Sequence, residues 1–383
     1  MATTTVDGIS ETKCEVKLAD LRHVAKNKVF SGFKNPEDDD ISIIQYRNSL
    51  SAIIGENPTF SLLVSTELPL FFEICAYLPQ DEELAITSNL LPSSNKSLYP
   101  QILISKTRLI RNASTGAIQR IEWQKFRTPP DMPMPASGAP YRDNVLYCSQ
   151  GTMSRGTGGL YYFPKGKRPV PVVTNYFGRD FNSVHSVAVS PNDGALWFTD
   201  PCNGADRNFR NKPELPCQVY RYSPETGDLR VVADGLGRPH GIALSPDEKT
   251  VYVTDSDAWR PGLDEEYRSE NAATTYAFDV VERSGGVFLV NKRVFSYALS
   301  GVPTGIACDP LGNVYIGGTD GVEIFSAGGG VLGVIEVPGA VSSLAFGKGG
   351  ELFLCSEKRL WRVKLGGLES LVAANSSMSI EDV

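Results

Sequence analysis

Two histidines and one glutamate recur at matching places in this sequence, and together they could carry acid–base or metal chemistry. The chain has only 3 histidines, of which His185 and His240 each open a similar phrase, HSVAVSPNDGALWFTD and HGIALSPDEKTVYVTD. Glu73, in FFEICAY, occupies the same place in a weaker copy of the phrase. Each imidazole alone could be a packed or hydrogen-bonded residue, but the coincidence of both favours a shared functional role.

Two kinds of chemistry are open to this set. In the first, a neutral imidazole acts as general acid or base because its pKa lies near working pH, and Glu73 orients it or stabilises its cation. A carbonyl oxygen would then need hydrogen-bond donors such as Asn182, Thr304 or a backbone N–H. In the second, Glu73, His185 and His240 bind a metal ion, and two imidazoles with one carboxylate suit zinc or ferrous iron better than calcium.

The elements that position these residues form a repeat of short strands. Alternating apolar residues, a tight turn and a second alternating strand occur in four stretches, which begin at His185, His240, Thr304 and Ser342. Alternation with a period of two predicts half-buried strands, and turns such as SPND and DPLG supply hairpins. A third strand often follows, at 218–224, 274–280, 321–327 and 359–365.

Two weaker copies lie upstream, so the phrase occurs six times. Its equivalent first positions, spaced 38 to 64 residues apart, are Glu73, Ser137, His185, His240, Thr304 and Ser342. Units of about 40 to 50 residues with three or four strands are typical of β-propellers. We therefore predict an all-β, six-bladed β-propeller in which these six side chains form a ring that faces the central channel.

The repeat also predicts the domain organisation. Residues 58–370 are expected to form the propeller, and the strand at 58–66 is expected to close the ring by joining the last blade. Residues 1–57 are expected to be an N-terminal extension packed on one rim, and residues 371–383 a C-terminal tail.

A resemblance to a known family is carried by three phrases, PHGIALSPDEKTVYVTD, NYFGRDFNSVHSVAVSPNDGALWFTD and GVPTGIACDPLGNVYIGG. Over about residues 58–366 the sequence resembles the gluconolactonase and senescence-marker-protein (regucalcin) family, and in particular its fungal lactone-hydrolase branch. The resemblance implies a six-bladed propeller that holds one divalent cation, usually calcium, at the channel mouth. That ion would polarise a lactone carbonyl and activate water.

The metal site implied by this resemblance is altered here. Glu73 matches the family's metal-binding glutamate, and Asn182 matches the first asparagine of a third-blade motif. His185 replaces the asparagine that contacts substrate and metal, His240 replaces an asparagine ligand, and Thr304 replaces an aspartate ligand. Calcium prefers about six to eight oxygen ligands, so a bound metal would be zinc or iron rather than calcium. Because Thr304 lacks the charge of that aspartate, we favour the metal-free chemistry and expect no cofactor.

Further residues are candidates for substrate binding, and these are Ser137, Asn182, Thr304, Asp255, Tyr176 and Arg179. Asp255, like Asp200, follows a strand in a T-D phrase and either caps a loop or reaches the pocket. Tyr176 and Arg179, in NYFGRDF, lie before the third inner strand and either line the channel mouth or pack within their loop.

The leading interpretation is a lactonase-like hydrolase that opens a small cyclic ester, a specialised metabolite rather than a sugar lactone. One alternative is a non-hydrolytic enzyme, an isomerase, dehydratase or cyclase, that reuses the same pocket. Another is a propeller that binds a small molecule without converting it. The retention of Glu73 and Asn182 argues against this non-catalytic alternative.

The net charge and the composition restrict the classes of binding partner. The net charge is −7 and the pI is near 5.2, and no basic stripe is present. We therefore predict a small-molecule substrate and neither nucleic acid nor membrane as a partner. No segment reaches the roughly 18 to 20 apolar residues of a membrane span.

Cysteine usage and the N-terminal residues predict a cytoplasmic protein. The first residues lack both the basic and the apolar part of a signal peptide. The 7 cysteines are scattered without CxxC pairs, as in reduced intracellular proteins. Cys202 and Cys217 flank one long loop and could pair if the protein were exported.

Overall fold

Apolar and polar residues alternate along many segments of the chain, so each segment can bury one face as a β-strand. Almost all of these strands pair antiparallel. The computed structural model describes residues 3–19, 41–93, 100–262 and 266–371. Within these ranges there are thirty strands, β1 to β30, and three short helices. The helices are α1 (Ser49–Ile54), α2 (Asn203–Asp206) and α3 (366–371). No helix in these ranges is long and apolar enough to cross a membrane.

Five strands precede the first blade, and they are β1 (Thr4–Asp7), β2 (Thr12–Lys13), β3 (Glu15–Leu18), β4 (Ser42–Gln45) and β5 (Thr59–Ser65). Blade 1 consists of β6 (Glu73–Leu78), β7 (Glu83–Thr87), β8 (Leu103–Arg111) and β9 (Ile118–Arg127). Blade 2 consists of β10 (Pro135–Tyr141), β11 (Asn144–Ser149), β12 (Gly159–Phe163) and β13 (Val170–Val173). A small hairpin follows, formed by β14 (Asn175–Tyr176) and β15 (Arg179–Asp180).

The second half of the chain supplies four more blades. Blade 3 consists of β16 (Val187–Val189), β17 (Leu196–Asp200), β18 (Gln218–Tyr222) and β19 (Leu229–Ala233). Blade 4 consists of β20 (Pro239–Leu244), β21 (Thr250–Asp255), β22 (Thr274–Arg283) and β23 (Gly286–Tyr297). Blade 5 consists of β24 (Ile306–Cys308), β25 (Val314–Gly318), β26 (Gly321–Phe325) and β27 (Val331–Glu336). Blade 6 contains β28 (Ser343–Phe346), β29 (Glu351–Ser356) and β30 (Arg359–Lys364).

The ring is closed by β5, which pairs antiparallel with β30 and becomes the fourth strand of blade 6. The register runs from Thr59 opposite Lys364 to Ser65 opposite Arg359. Because this pairing joins the start of the propeller to its end, it ties all six blades into one ring. The predictions of a six-bladed propeller and of a closing strand at 58–66 are therefore confirmed.

The N-terminal extension does not pack on one rim, and that expectation is wrong for the described part. Instead β1 pairs with β9 of blade 1, β2 pairs with β5 of blade 6, and β4 pairs with β27 of blade 5. β3 then adds to β4 as a parallel strand. Outer strands of a blade expose unpaired N–H and C=O groups, and the extension satisfies them on three blades. Residues 20–40 of the extension and 372–383 of the tail lie outside the described residues.

The hydrophobic core lies between the faces of neighbouring blades. Ile74 of blade 1 packs in one buried cluster with Tyr147 of blade 2, and Leu146 of blade 2 packs in another with Phe198 of blade 3. Each blade can bury its apolar faces only against its neighbours, so the ring is the stable unit. The inner ends of the strands are left to face the channel.

Threonines at or near the ends of second strands link blades 1, 3 and 4 to the blade that follows each of them. The Oγ1 atom of Thr199 donates to the carbonyl oxygen of His240 at 2.8 Å, and that of Thr254 donates to the carbonyl oxygen of Thr304 at 2.7 Å. In blade 1, Thr87 donates in the same way to Ala136 at 2.7 Å. These buried hydrogen bonds hold the backbone of the channel-facing residues in place.

Candidate functional site

Five of the six predicted ring residues line one cavity of about 320 Å³ at the channel mouth, namely Glu73, His185, His240, Thr304 and Ser342. They lie at or just before the first strands of five blades. The prediction that at least four ring residues face one channel is therefore confirmed. Ser137 is the exception, because Ala136 lines the cavity instead. A register shift between Pro135 and Gly138 displaces the alternation of β10 at this point.

Glu73, His185 and His240 form a tight cluster in this cavity. The Oε1 atom of Glu73 lies 3.5 Å from Nε2 of His185 and 3.7 Å from Nε2 of His240. The two imidazole rings have centroids 4.0 Å apart and are tilted by 48°. The side chain of His240 is 14% exposed and that of His185 only 5% exposed, so His240 is the more accessible imidazole. We refer to these three residues as the acid–base cluster.

Burial decides the charge of the cluster. Desolvation raises the pKa of Glu73 from 4.5 to about 8, although the charge of Arg207 acts in the opposite direction. Desolvation, together with the charges of Arg238 and Arg207, lowers the pKa of His240 to about 3. The pKa of His185 is lowered well below 6.5, by desolvation first and then by His240 and the same two arginines. At neutral pH both imidazoles are therefore neutral, and the Glu73 carboxyl carries a proton.

The same three residues are the group in the described part of the chain that could hold a metal ion, with ligand atoms within 4.8 Å of one another. Two imidazoles and one carboxylate suit zinc or ferrous iron. The group does not fit calcium, which prefers about six to eight oxygen ligands, because two of its three side chains offer nitrogen. The Thr304 hydroxyl already donates to the carbonyl oxygen of Val341 at 2.8 Å.

Two features oppose even a transition metal. The Nδ1 atoms of both His185 and His240 are buried without a hydrogen-bond partner in the described ranges, whereas metal-binding imidazoles normally donate from the second nitrogen. Arg207 and Arg238 also line the cavity, and their positive charges repel a cation.

Asp200 and Asp255 hold the loops that carry the two histidines. The carboxylate of Asp200 accepts from the backbone N–H of Asn182 at 2.9 Å and of Ser183 at 2.7 Å. The carboxylate of Asp255 accepts from Gly237 at 2.8 Å and from Arg238 at 2.7 Å. Each pair of N–H groups lies just before a histidine, so both aspartates cap loops. Asp255 does not line the cavity, whereas the adjacent Ser256 does, so the structure favours the loop-capping alternative, and substrate binding by Asp255 stays a prediction.

Asn182 also lies outside the cavity, and its side chain forms hydrogen bonds to the backbone of another loop. Its Nδ2 atom donates to the carbonyl oxygens of Leu215 at 3.0 Å and Pro216 at 3.1 Å. The side chain therefore ties the loop before His185 to the long loop at 201–217. Substrate binding by Asn182 stays a prediction, and the family motif that suggested it indicated a residue type but not its partner.

Tyr176 and Arg179 belong to the β14–β15 hairpin and do not line the cavity either. The Tyr176 ring packs against Tyr220, with centroids 5.5 Å apart, and the guanidinium of Arg179 lies 5.5 Å from the centre of the Tyr176 ring. These contacts correspond to the loop-packing alternative, and a role of either residue in substrate binding stays a prediction. The same is true of Ser137, whose backbone N–H donates to the carbonyl oxygen of His185 at 3.0 Å.

Sequence reasoning missed most of the cavity wall. Apolar and aromatic side chains form much of it, and these are Phe72, Leu90, Ile102, Trp259, Pro261 and Val302. Polar side chains form the rest, and these are Ser88, Asn89, Gln150, Asn203, Arg207, Arg238, Ser256, Tyr267, Thr319 and Glu357. Most of these residues come from connections between strands rather than from the repeated phrase. The length of the loop at 201–217 was the one signal that could have directed attention to Arg207.

Comparisons with known proteins agree with this architecture. Residues 143–358, more than half of the chain, match the family model described as "SMP-30/Gluconolactonase/LRE-like region". The lactonohydrolase oryL of Aspergillus oryzae is 27% identical over 344 residues, which cover 85% of this chain and 73% of that protein. The gluconolactonase of Zymomonas mobilis is 35% identical over 200 residues, covering 50% of this chain and 53% of that protein.

Solved structures share the fold. A gluconolactonase from Xanthomonas campestris superposes with a TM-score of 0.65 at 23% identity, covering 89% of this chain and 99% of that one.

Proposed function

Because the chain belongs to the SMP-30/gluconolactonase/LRE-like family, we propose that it is a hydrolase that opens a small cyclic ester in the cavity above the acid–base cluster. Membership confirms the resemblance carried by the repeated phrases. The observation that carries the proposal is the contact of one buried carboxyl with two imidazoles, at 3.5 and 3.7 Å, inside a pocket of substrate size. The names of the relatives, lactonohydrolase and gluconolactonase, support the reaction class.

The first step of the proposed reaction is the activation of water by a neutral imidazole. We assign this role to His240, because it is the more exposed of the two rings. Its Nε2 atom accepts a proton from water as the water oxygen bonds to the carbonyl carbon of the ester. Burial keeps the lone pair of this nitrogen available at neutral pH.

The second step is the departure of the ring oxygen. As the bond between the carbonyl carbon and this oxygen breaks, the protonated carboxyl of Glu73 donates its proton to the leaving alkoxide. The carboxylate then stands 3.7 Å from the imidazolium of His240, so each stabilises the charge of the other. Return of the proton from Nε2 to Oε1 restores the starting state, and the product leaves as a hydroxy acid. His185 acts as a positioning residue for the Glu73 carboxyl.

A specialised, largely apolar ester is the substrate class that the cavity favours. Phe72, Leu90, Trp259 and Val302 would bury hydrocarbon or aromatic surface. A sugar lactone would instead need a hydrogen-bond partner for each hydroxyl group.

A metal-dependent version of the same hydrolysis is the second candidate, and it is favoured by the spacing of the three donor atoms. Glu73, His185 and His240 would hold zinc or ferrous iron, and the ion would polarise the ester carbonyl.

The experiment combines metal analysis of the untreated protein with ring-opening assays before and after dialysis against EDTA. Dihydrocoumarin and glucono-δ-lactone serve as the aromatic and sugar substrates, and acid release is followed with a pH indicator. We expect opening of dihydrocoumarin in preference to gluconolactone, with activity that survives EDTA. Loss of activity on chelation, restored by zinc or iron, would support the metal-dependent version. Failure to open any lactone would leave the isomerase, dehydratase, cyclase or binding alternatives.

A further inference from the structure

The cavity contains one guanidinium group that has no partner in the described ranges, and we propose that Arg207 binds a carboxylate carried by the substrate. The guanidinium groups of the neighbouring arginines both have partners. Arg238 pairs with Asp206 and donates to the carbonyl oxygen of Trp259 at 3.1 Å. Arg210 donates to the backbone oxygens of the loops around it, including that of Asn182 at 2.9 Å. The backbone N–H of Arg207 donates to the carbonyl oxygen of Asn203 at 3.1 Å, but its guanidinium group has neither an ion pair nor a hydrogen bond to any described residue.

Hydrogen bonds hold the loop around Arg207 in place, so the fold itself keeps this side chain at the cavity. Arg207 directly follows α2, whose Gly204 N–H donates to the Ser183 hydroxyl at 2.8 Å. The far end of the same loop is held by Asn182 through Leu215 and Pro216, as described above. Gly262 packs over the stem of Arg207, and a Cβ atom there would come within 2.8 Å of the Arg207 Cγ atom. The absence of a side chain at 262 leaves room for the arginine.

Arg207 is half-buried in the cavity wall, and an unpaired cation in such a site is costly unless water or a ligand solvates it. Glu73 does not neutralise it, because its ion-pair contacts in the described part of the chain are the two imidazoles. Glu357, the other carboxyl that lines the cavity, makes no ion pair or hydrogen bond with Arg207 either. A guanidinium group matches a carboxylate through two parallel hydrogen bonds, which are stronger than those to a neutral amide.

The ligand class follows from combining this charge with the apolar wall. Phe72, Leu90 and Trp259 would contact a ring or chain, while Arg207 would bind an acidic group at its end. The expected ligand is therefore an amphiphilic carboxylic acid. It rests on the proposed function only in taking the reactive group of that ligand to be a lactone.

The test uses ligands that cannot be hydrolysed, so that binding is separated from turnover. The probes are 2-oxo-1,2,3,4-tetrahydroquinoline-6-carboxylate and its 6-carboxamide, which are lactams of equal shape that differ in charge. Isothermal titration of the full chain should show the carboxylate binding at least about tenfold more tightly than the carboxamide. Arg207→Gln should bring the two affinities together, and Arg207→Lys should retain part of the preference. Arg179→Gln, outside the cavity, should leave the preference unchanged.

Circular dichroism of each variant establishes that it is folded before titration. Equal affinities in the native protein, a preference that survives in Arg207→Gln, or no binding of either lactam at about 10 mM would each overturn the proposal. If Arg207 served instead to stabilise the oxyanion of the reaction, Arg207→Gln would lose turnover and the native protein would show no preference for the carboxylate. The proposed function is judged separately, by the opening of neutral dihydrocoumarin.

Discussion

Replacing Glu73 by glutamine should make the protein more stable at pH 8 while it removes catalysis. Glutamine keeps the shape of the protonated carboxyl but cannot ionise. In the unfolded chain a glutamate ionises near pH 4.5, whereas burial raises the pKa of Glu73 in the folded protein to about 8. Between these two values the folded state binds one more proton than the unfolded state, so the native protein loses stability as the pH rises.

The size of the effect follows from the shift. A shift from 4.5 to about 8 corresponds to about 5 kcal/mol of unfolding free energy, as an upper bound, at pH 8 and above. Glu73→Gln avoids this loss, so its advantage should be near zero at pH 4.5 and should grow with pH. The histidines contribute the opposite trend, because the lowered pKa of His240 costs stability as the pH falls from 6.5 towards about 3. That contribution is present in both proteins and cancels in their difference.

The assay is urea unfolding of the native protein and the variant at pH 5, 6.5 and 8, followed by circular dichroism. Glu225→Gln, which replaces an exposed glutamate in a turn, is the matched control and should show no dependence of the difference on pH. The same preparations are tested for lactone opening, where Glu73→Gln should lose at least about 100-fold in turnover. A variant that is no more stable than the native protein at pH 8 would refute the reasoning, because Glu73 would then be ionised and could not be the acid.

Four further predictions concern other parts of the site. His240→Ala should lower kcat at least about tenfold with an almost unchanged unfolding midpoint, and native turnover per folded molecule would contradict its role as base. Calcium at millimolar concentration should shift the thermal midpoint by less than about 1 °C, since a ligand stabilises only the state that binds it; a shift of several degrees would indicate a calcium site. Asp255→Asn should cost about 1 to 3 kcal/mol in urea unfolding by weakening the loop before His240, and an unchanged midpoint would contradict this. Glutathione disulfide should oxidise Cys202 and Cys217, whose sulfur atoms lie 3.1 Å apart, to a disulfide with release of two reduced glutathiones. The mass of the protein should then fall by about 2 Da, and its unfolding free energy should rise by about 3 kcal/mol. The Cys202→Ser variant should show neither change.

The sequence alone was sufficient to predict the fold and the three residues of the acid–base cluster. Alternation, turn residues and the repeated phrase are local signals, and each blade is a local unit whose strands follow one another along the chain. Equivalent positions of a repeat must face the same axis, so the sequence by itself places Glu73, His185 and His240 together. The closing strand at 58–66 was predictable for the same reason, because an incomplete last blade needs a partner from the other end of the chain.

What the tertiary structure decided depends on contacts between segments that are distant in the chain. Asn182 and Asp255 are polar residues beside the pocket, yet each bonds to backbone groups, and no local pattern states which carbonyl or N–H a side chain will meet. The prediction that Ser137 faces the channel was wrong, because a register shift in β10 places Ala136 there instead. Arg207 lies in a loop without a repeat, so its place in the cavity follows from loop packing. The proton on Glu73 likewise depends on burial, which exists only once all six blades have closed around the channel.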